Sequence, residues 1–246
     1  MIGPIINSSC VFIGGVIGGL TGNRLGEKFR KQLPLTFGAA SMGMGIPMIA
    51  NMHALPAVIG SLLFGAIIGE ILSIEAKIGR AASAVRIFID KFSPKKQGST
   101  LSHEAYLDLF TGILVLFVAS GTGIFGSMNE GLTGDPTILF TKSLLDLLTA
   151  TIFGTLLGLP VALIAIPQFI VQVVLLILGQ AILALTTPAM MTDFSALGGI
   201  IMLVTGLRVC GIKSFPIANL LPGLIIVMPL SHLWVSIVVP AIQRLS

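Results

Sequence analysis

The sequence predicts an all-α protein: a polytopic transmembrane helical bundle of about seven to eight spans, with its N-terminus outside and a trace of repeated helical hairpins. Three observations carry that prediction. Only 10% of the 246 residues are charged and 54% are hydrophobic, whereas globular chains carry about 25% charge. The mean hydropathy is +1.03. Apolar runs of about 20 residues recur along most of the chain, each long enough to cross roughly 30 Å of hydrocarbon as helix. Open β-strands would leave unpaired edges in lipid, and no alternation of about ten residues hints at a barrel.

In order, the apolar segments lie at roughly 4–22, 36–52, 55–74, 107–126, 137–157, 160–185, 195–210 and 216–240. The first opens with Asn7, Ser8 and Ser9 and is followed by Arg24, Lys28, Arg30 and Lys31. Cations concentrate in cytoplasmic loops, so this order describes an uncleaved, N-out helix rather than a secretion signal. Cys10 and Cys210 then fall near opposite ends of the bilayer, which argues against a disulfide between them. The third segment ends in the glycine-spaced run Gly65 to Glu70, and Glu70 is expected to pair with a loop cation near the cytoplasmic boundary.

Residues 75–105 form the one long polar connection, and its Lys77, Arg80, Arg86, Lys91, Lys95 and Lys96 place it in the cytoplasm. On a helical wheel Ile74, Ile78, Ala81, Val85, Phe88, Ile89 and Phe92 share one face. Glu75, Arg80, Ser83, Arg86, Asp90 and Lys91 share the other. The pattern predicts an amphipathic interfacial helix over about 75–93, whose basic side, extended to 96, would hold anionic lipid or a partner. The plainer alternative is a positive loop that only sets topology. Other connections are short, so residues 1–246 read as a single integral membrane domain.

The stretch from Ser120 to Pro136, SGTGIFGSMNEGLTGDP, is a polar, glycine-rich island. Backbone that leaves regular helix in a bilayer must be buried in protein or line a wet cavity, so the island reads as the outer binding or gating element of a site, built on Asn129 and Glu130. Gly121, Gly123 and Gly126 allow either close helix packing or a broken helix end, and Gly131 and Gly134 permit turns. Asp135 followed by Pro136 reads as an N-cap and a first-turn proline.

The next helix carries the costlier charges. Lys142 and Asp146 stand about 9 Å and about 15 Å beyond Pro136, near the bilayer centre. They are i,i+4 neighbours and can neutralise each other, with Ser143 and Thr149 adding hydroxyls. An ionisable group at that depth is a functional candidate by default; the alternative is a structural interhelix ion pair. Other polar positions could converge on the face of Lys142 and Asp146: Asn7, Ser8 and Ser9 in the first span, Thr186, Thr187, Thr192 and Asp193 before the seventh, and Arg208 and Asn219 flanking its hairpin. Asp193 is most simply expected to cap a helix opening at Phe194. Phe37, Phe117 and Phe194 are each expected to open a small-residue helix, with Pro56, Pro136 and Pro216 opening the next. Hairpins 36–74, 117–157 and 194–240 therefore form the trace of repetition, a frequent design of secondary transporters.

IGPIINSSCVFIGGVIGG at the N-terminus, ASGTGIFGSMNEGLTGDPTIL with KSLLD in the middle, and TTPAMMTDFSALGGIIMLVTGLRVCGIKSFPIANLLPGL near the end resemble the YqgA-like bacterial inner-membrane proteins, domain of unknown function family 554. The resemblance covers essentially the whole chain. It implies a multi-pass protein of the bacterial cytoplasmic membrane and carries no substrate or reaction to transfer.

The chain contains no HExxH, no GxGD aspartyl pair and no Ser/His or Ser/Lys dyad in a persuasive context, so an enzyme is not expected. The absence of a GxxxxGK[ST] phosphate loop argues against ATP-driven transport by this chain alone. His53, His103 and His232 are isolated, and no metal, cofactor or nucleic acid is implied. The function expected is secondary transport of a small polar or ionic solute, coupled to H⁺ or Na⁺, through Asp146, Lys142, Asn129, Glu130, Gly121, Gly123 and Thr149. Asp135, Asp193, Arg208, Asn219 and Glu70 are secondary candidates. Small-residue faces would permit a homo-oligomer. The alternative is a passive channel, or a scaffold acting through the basic cytoplasmic loop.

Overall fold

The computed structural model describes residues 1–21, 27–80, 110, 113–114, 116–118, 120–213 and 215–245, and among them every regular element is helical. In chain order these are α1 (Ile2–Thr21), α2 (Glu27–Ala50), α3 (Leu55–Ile71), α4 (Ile74–Arg80), α5 (Gly121–Thr133) and α6 (Thr137–Leu157). There follow α7 (Pro160–Leu163), α8 (Ala165–Ile182), α9 (Pro188–Val209), α10 (Ile217–Leu220), α11 (Pro222–Leu233) and α12 (Val239–Leu245). Five helical stretches among the described residues are long and apolar enough to cross a membrane: α1, α6, Pro160–Leu185, α9 and Ile217–Gln243. A sixth arises if α3 and α4, bent by 50° at their junction, are taken as one span.

Burial runs opposite to that of a water-soluble protein. Ile5, Phe12, Ile13, Ile166 and Ile170 are exposed, while Asn7, Lys142, Asp146, Gln168 and Gln172 are buried. In water that arrangement would forfeit about 25 cal/mol for each Å² of apolar surface left outside. In lipid it does not, and helices associate instead through close packing and polar pairing.

Chain contacts gather residues Met1–Thr36 with Ala76–Ala181 in one compact unit. Within it α1 lies against α6 along a glycine face. A Cβ on Gly14 or Gly18 would strike the carbonyl oxygen of Leu147 or Thr151, and one on Gly15 or Gly19 would strike the backbone at Ala162 or Leu159. Val11, Phe117, Ala150, Val161 and Ile164 fill the core beside this contact.

The glycine-rich island proves to be helix, not loop. Ser120 is its N-cap, the hydroxyl accepting the Gly123 amide at 3.1 Å, and Gly134 closes it in the left-handed conformation at φ 77°. Gly131 sits on the Leu176 carbonyl and Gly179 on that of Met128, so α5 and α8 touch backbone to backbone. Gly126 and Gly131 serve close packing, Gly134 makes the turn expected of it, and the span expected over 107–126 is interrupted at Ser120, whose backbone is extended. Asp135 is likewise corrected: the N-cap of α6 is Pro136, and the Asp135 carboxylate instead accepts the Thr137 amide at 3.0 Å and hydroxyl at 2.5 Å.

The second unit gathers Phe37–Glu75 with Ile182–Ser246. Here α3 lies on an interrupted helix, Gly65 on Gly223 and Gly69 on Asn219, while α2 meets α9 with Gly38 near Gly206 and Gly45 near Gly199. Helix α9 starts at Pro188 behind a Thr187 cap, so Asp193 stands inside it and cannot cap it. The Asp193 carboxylate accepts the amides of His53 and Ala54, each at 2.8 Å, and the Ser231 hydroxyl at 2.6 Å. It therefore caps α3 from across the chain. Phe37 and Phe194 fall inside α2 and α9 rather than at helix starts. Of the amphipathic helix expected over 75–93, the turn through Arg80 is helical. The remainder, with Arg86 and Lys91, lies outside the described residues, as do Lys95 and Lys96.

Candidate functional site

The polar centre of the first unit is built on α6. Four residues apart on one helix face, Lys142 and Asp146 form an ion pair, and they are 0% and 1% exposed. Carrying two charges out of water costs several kcal/mol per ion unless other hydrogen bonds complete the pair. Those bonds come from α1 and α8. Besides the Lys142 ammonium, Asp146 Oδ2 receives Asn7 Nδ2 at 2.8 Å and Gln168 Nε2 at 3.2 Å.

The carboxylate imposes a direction on everything around it. Because Asp146 can only accept, Asn7 must turn its amide nitrogen toward it, which points the Asn7 oxygen the other way. That oxygen accepts Gln168 Nε2 at 2.5 Å and Gln172 Nε2 at 2.6 Å. Both glutamine oxygens are then left over: Gln168 Oε1 and Gln172 Oε1 are buried without a hydrogen-bond partner. A buried acceptor left in this way costs about 1–3 kcal/mol.

Local sequence explains why these side chains face inward. Along α8 the buried positions are Ala165, Gln168, Gln172, Leu176 and Gly179, at helical spacing, while Ile166, Ile170, Val174 and Ile177 face outward. On α5, Gly123 makes room for the lysine stem: a Cβ there would stand 3.0 Å from Lys142 Cε and 3.6 Å from Gln172 Nε2. The Lys142 ammonium lies 5.8 Å from the centre of the Phe117 ring, within cation–π range.

The other expected site residues divide. Gly121 and Gly123 belong to the first turn of α5. Thr149 and Ser143 spend their hydroxyls on the carbonyls of Leu145 and Leu139, at 2.8 Å and 2.6 Å, and add nothing to the pair. Asn129 turns toward Thr133 Oγ1 at 3.4 Å. Glu130 is buried and accepts the Gly3 amide at 3.1 Å, with the Met1 α-amino nitrogen 2.9 Å away. Gly3 and Asn7 are successive positions on one face of α1, so Glu130 lies about 6 Å along that helix from the Asn7 cluster.

Asp193, Arg208, Asn219 and Glu70 belong to the second unit and form no part of this cluster. Glu70 takes Asn219 Nδ2 at 2.6 Å, and the loop cations from Arg86 onward lie outside the described residues. Arg208 donates to Glu75 at 2.6 Å and to the Phe215 carbonyl at 3.0 Å, and Glu75 accepts the Ala218 amide at 2.9 Å. Asn219 and Glu75 thus tie the chain at Glu75 to the start of α10, a bracing role within the second unit. Asp135 is exposed at the α5–α6 turn, and the hydroxyl and amide of Thr137 hold its carboxyl below the usual range.

The sequence offers Asn7 among several polar positions able to converge on the Asp146 face, and the structure brings it there; Gln168 and Gln172 were missed. Two glutamines one turn apart in a segment of hydropathy 2.7 were the available signal.

A family model described as "Protein of unknown function (DUF554)" matches residues 2–232. "Uncharacterized protein YqgA" of Escherichia coli (strain K12) is 49% identical over 237 residues, covering 96% of this chain and 98% of that protein. "Uncharacterized membrane protein YdfK" of Bacillus subtilis (strain 168) is 28% identical over 230 residues, 92% and 93% of the two chains. No solved structure matches.

Proposed function

The chain belongs to the DUF554 family of proteins of unknown function, and we propose that it is a secondary transporter of a small polar or ionic solute, coupled to H⁺ or Na⁺. Its apolar helices and its likeness to a relative called a membrane protein make it a membrane protein of unknown function. Transport, placement in the bacterial cytoplasmic membrane and an N-out orientation are our reading beyond that. The orientation rests on the cations at 24–31 and 77–96.

One observation carries the proposal: an ion pair exposed by no more than 1%, bonded to side chains of α1 and α8, whose outer faces are isoleucine and phenylalanine. For stability alone the pair is a poor choice, since well-packed apolar residues in place of a buried ion pair are often neutral or better. Charge at this depth is explained by a task that needs charge, such as holding an ion in transit. In this reading Asp146 is the cation or proton site, Lys142 its charge partner, and Glu130 with Asn129 the approach from the α1 end. The function is non-enzymatic.

Asp146→Asn tests it, because the substitution keeps the shape, leaves one oxygen able to accept the Asn7 and Gln168 amides, and removes the charge. Purified protein in liposomes loaded with a pH dye is given an imposed Na⁺ or K⁺ gradient, with and without a mixture of candidate solutes. The expected result is a gradient-dependent signal from the native chain that the variant loses while it still purifies as a folded species, melting lower because the Lys142 ammonium is left unpaired. Equal signals from the two would remove Asp146 from the mechanism.

A further inference from the structure

We propose that the Asn7, Asp146, Gln168 and Gln172 cluster binds a monovalent hard cation, with sodium the first candidate, and that the Lys142 ammonium is a tethered competitor for the same carboxylate. The inference deepens the transport reading and rests on it only in treating this cluster as an ion site.

Donor polarity comes first. The hydrogen-bond direction set by Asp146 leaves Gln168 Oε1 and Gln172 Oε1 unpartnered, on residues 0% and 2% exposed. Each oxygen shares an amide carbon with a nitrogen that touches Asn7 Oδ1, and the Gln168 nitrogen also touches Asp146. The spare oxygens therefore belong to the same few ångströms as the carboxylate. An oxygen acceptor buried without a donor is satisfied by a proton-bearing group or by a cation.

The ligand set then selects the occupant. All the candidate atoms are oxygens, one charged and the rest amide carbonyls, which suits a hard, singly charged ion. Calcium takes six to eight oxygens with several carboxylates, magnesium keeps its waters, and softer metals prefer sulfur or imidazole. An anion would meet one ammonium and the negative ends of two amide dipoles. A larger organic solute would need space beside the lysine stem, where Gly123 already brings α5 close to Lys142 Cε.

Lys142 shows that the carboxylate accepts a cation, since its ammonium occupies Oδ2. A second positive charge beside an intact ion pair would leave the buried group with net charge, so cation and ammonium alternate on Asp146. Removing the ammonium should then do two things: destabilise the protein by leaving a bare buried carboxylate, and strengthen cation binding.

Radioactive-sodium binding and thermal unfolding of the detergent-purified full chain, in sodium chloride against equimolar choline chloride, decide the matter. The native protein is expected to bind sodium saturably and to melt higher in it. Asp146→Asn and Gln172→Leu should lose both effects. Lys142→Met should melt below the native chain in choline, recover in sodium, and bind sodium about tenfold more tightly or better. Absence of saturable sodium binding by the native chain overturns the proposal, as does sodium binding that persists in Asp146→Asn. Sodium binding without gradient-driven flux would keep the cation site and remove the transport reading; flux without sodium binding would do the reverse.

Discussion

At the scale of single residues, one oxygen governs the first unit. Three donors from three helices converge on Asp146 Oδ2, so each constrains the others. Asn7→Leu removes the donor from α1 and also leaves the Gln168 and Gln172 amide nitrogens facing an apolar group. A loss of about 1–3 kcal/mol is expected, read by thermal unfolding. Asp135 makes a pH prediction with a definite sign. Its carboxyl titrates below its ordinary value, so its support of the Thr137 amide is complete above that ordinary value and is lost as pH falls through the lowered one. Hydrogen exchange at Thr137, corrected for intrinsic rate, should accelerate in acid, and Asp135→Asn should abolish that dependence. The charged pair was legible in the sequence because Lys142 and Asp146 are i,i+4 in an apolar helix. The glutamines were overlooked because, being uncharged, they pose no problem of charge neutralisation in lipid, and the run around them stays strongly apolar.

Elements tell a different story. Glycine has two uses in a membrane helix, turning the chain and letting backbones touch, and composition does not separate them. In the island at 120–136 both uses stood open for Gly121, Gly123 and Gly126, and Gly131 and Gly134 were given to turns; Gly126 beside Leu139 and Gly131 on Leu176 show the second use, while Gly134 shows the first. Asp193 misled for a related reason. An Asp before a small-residue run signals a local cap, yet the amides it accepts are 139 and 140 residues away in sequence. Asp193→Ala should therefore destabilise a helix it does not belong to. We expect a loss of about 1–3 kcal/mol, with hydrogen exchange rising first at His53 and Ala54 rather than in α9. Little change at those two amides would reject the capping role. A cap supplied by tertiary contact leaves no local pattern, whereas the Ser120 and Gly134 caps of α5 match the usual start and stop signals.

For the whole molecule, the helical membrane class follows from charge and hydropathy alone, and the structure agrees with five to six apolar spans. The two contact units are interleaved along the chain, Met1–Thr36 joining Ala76–Ala181, so no shift in composition marks their borders. Orientation is a property at this scale and can be measured. In a variant with Cys10 and Cys210 changed to Ser, a cysteine placed at Asp135 should react with a membrane-impermeant maleimide from outside intact cells. One placed at Lys91 should react only after the membrane is opened; the opposite pattern would invert the topology. A last consequence concerns biosynthesis. Asn7 and Asp146 are bonded across 139 residues of sequence, which a ribosome adds in roughly ten seconds or more. Until then α1 must wait in lipid with its asparagine unanswered. A chain stopped before α6 should be a substrate for membrane quality control, and one stopped after α8 should escape it.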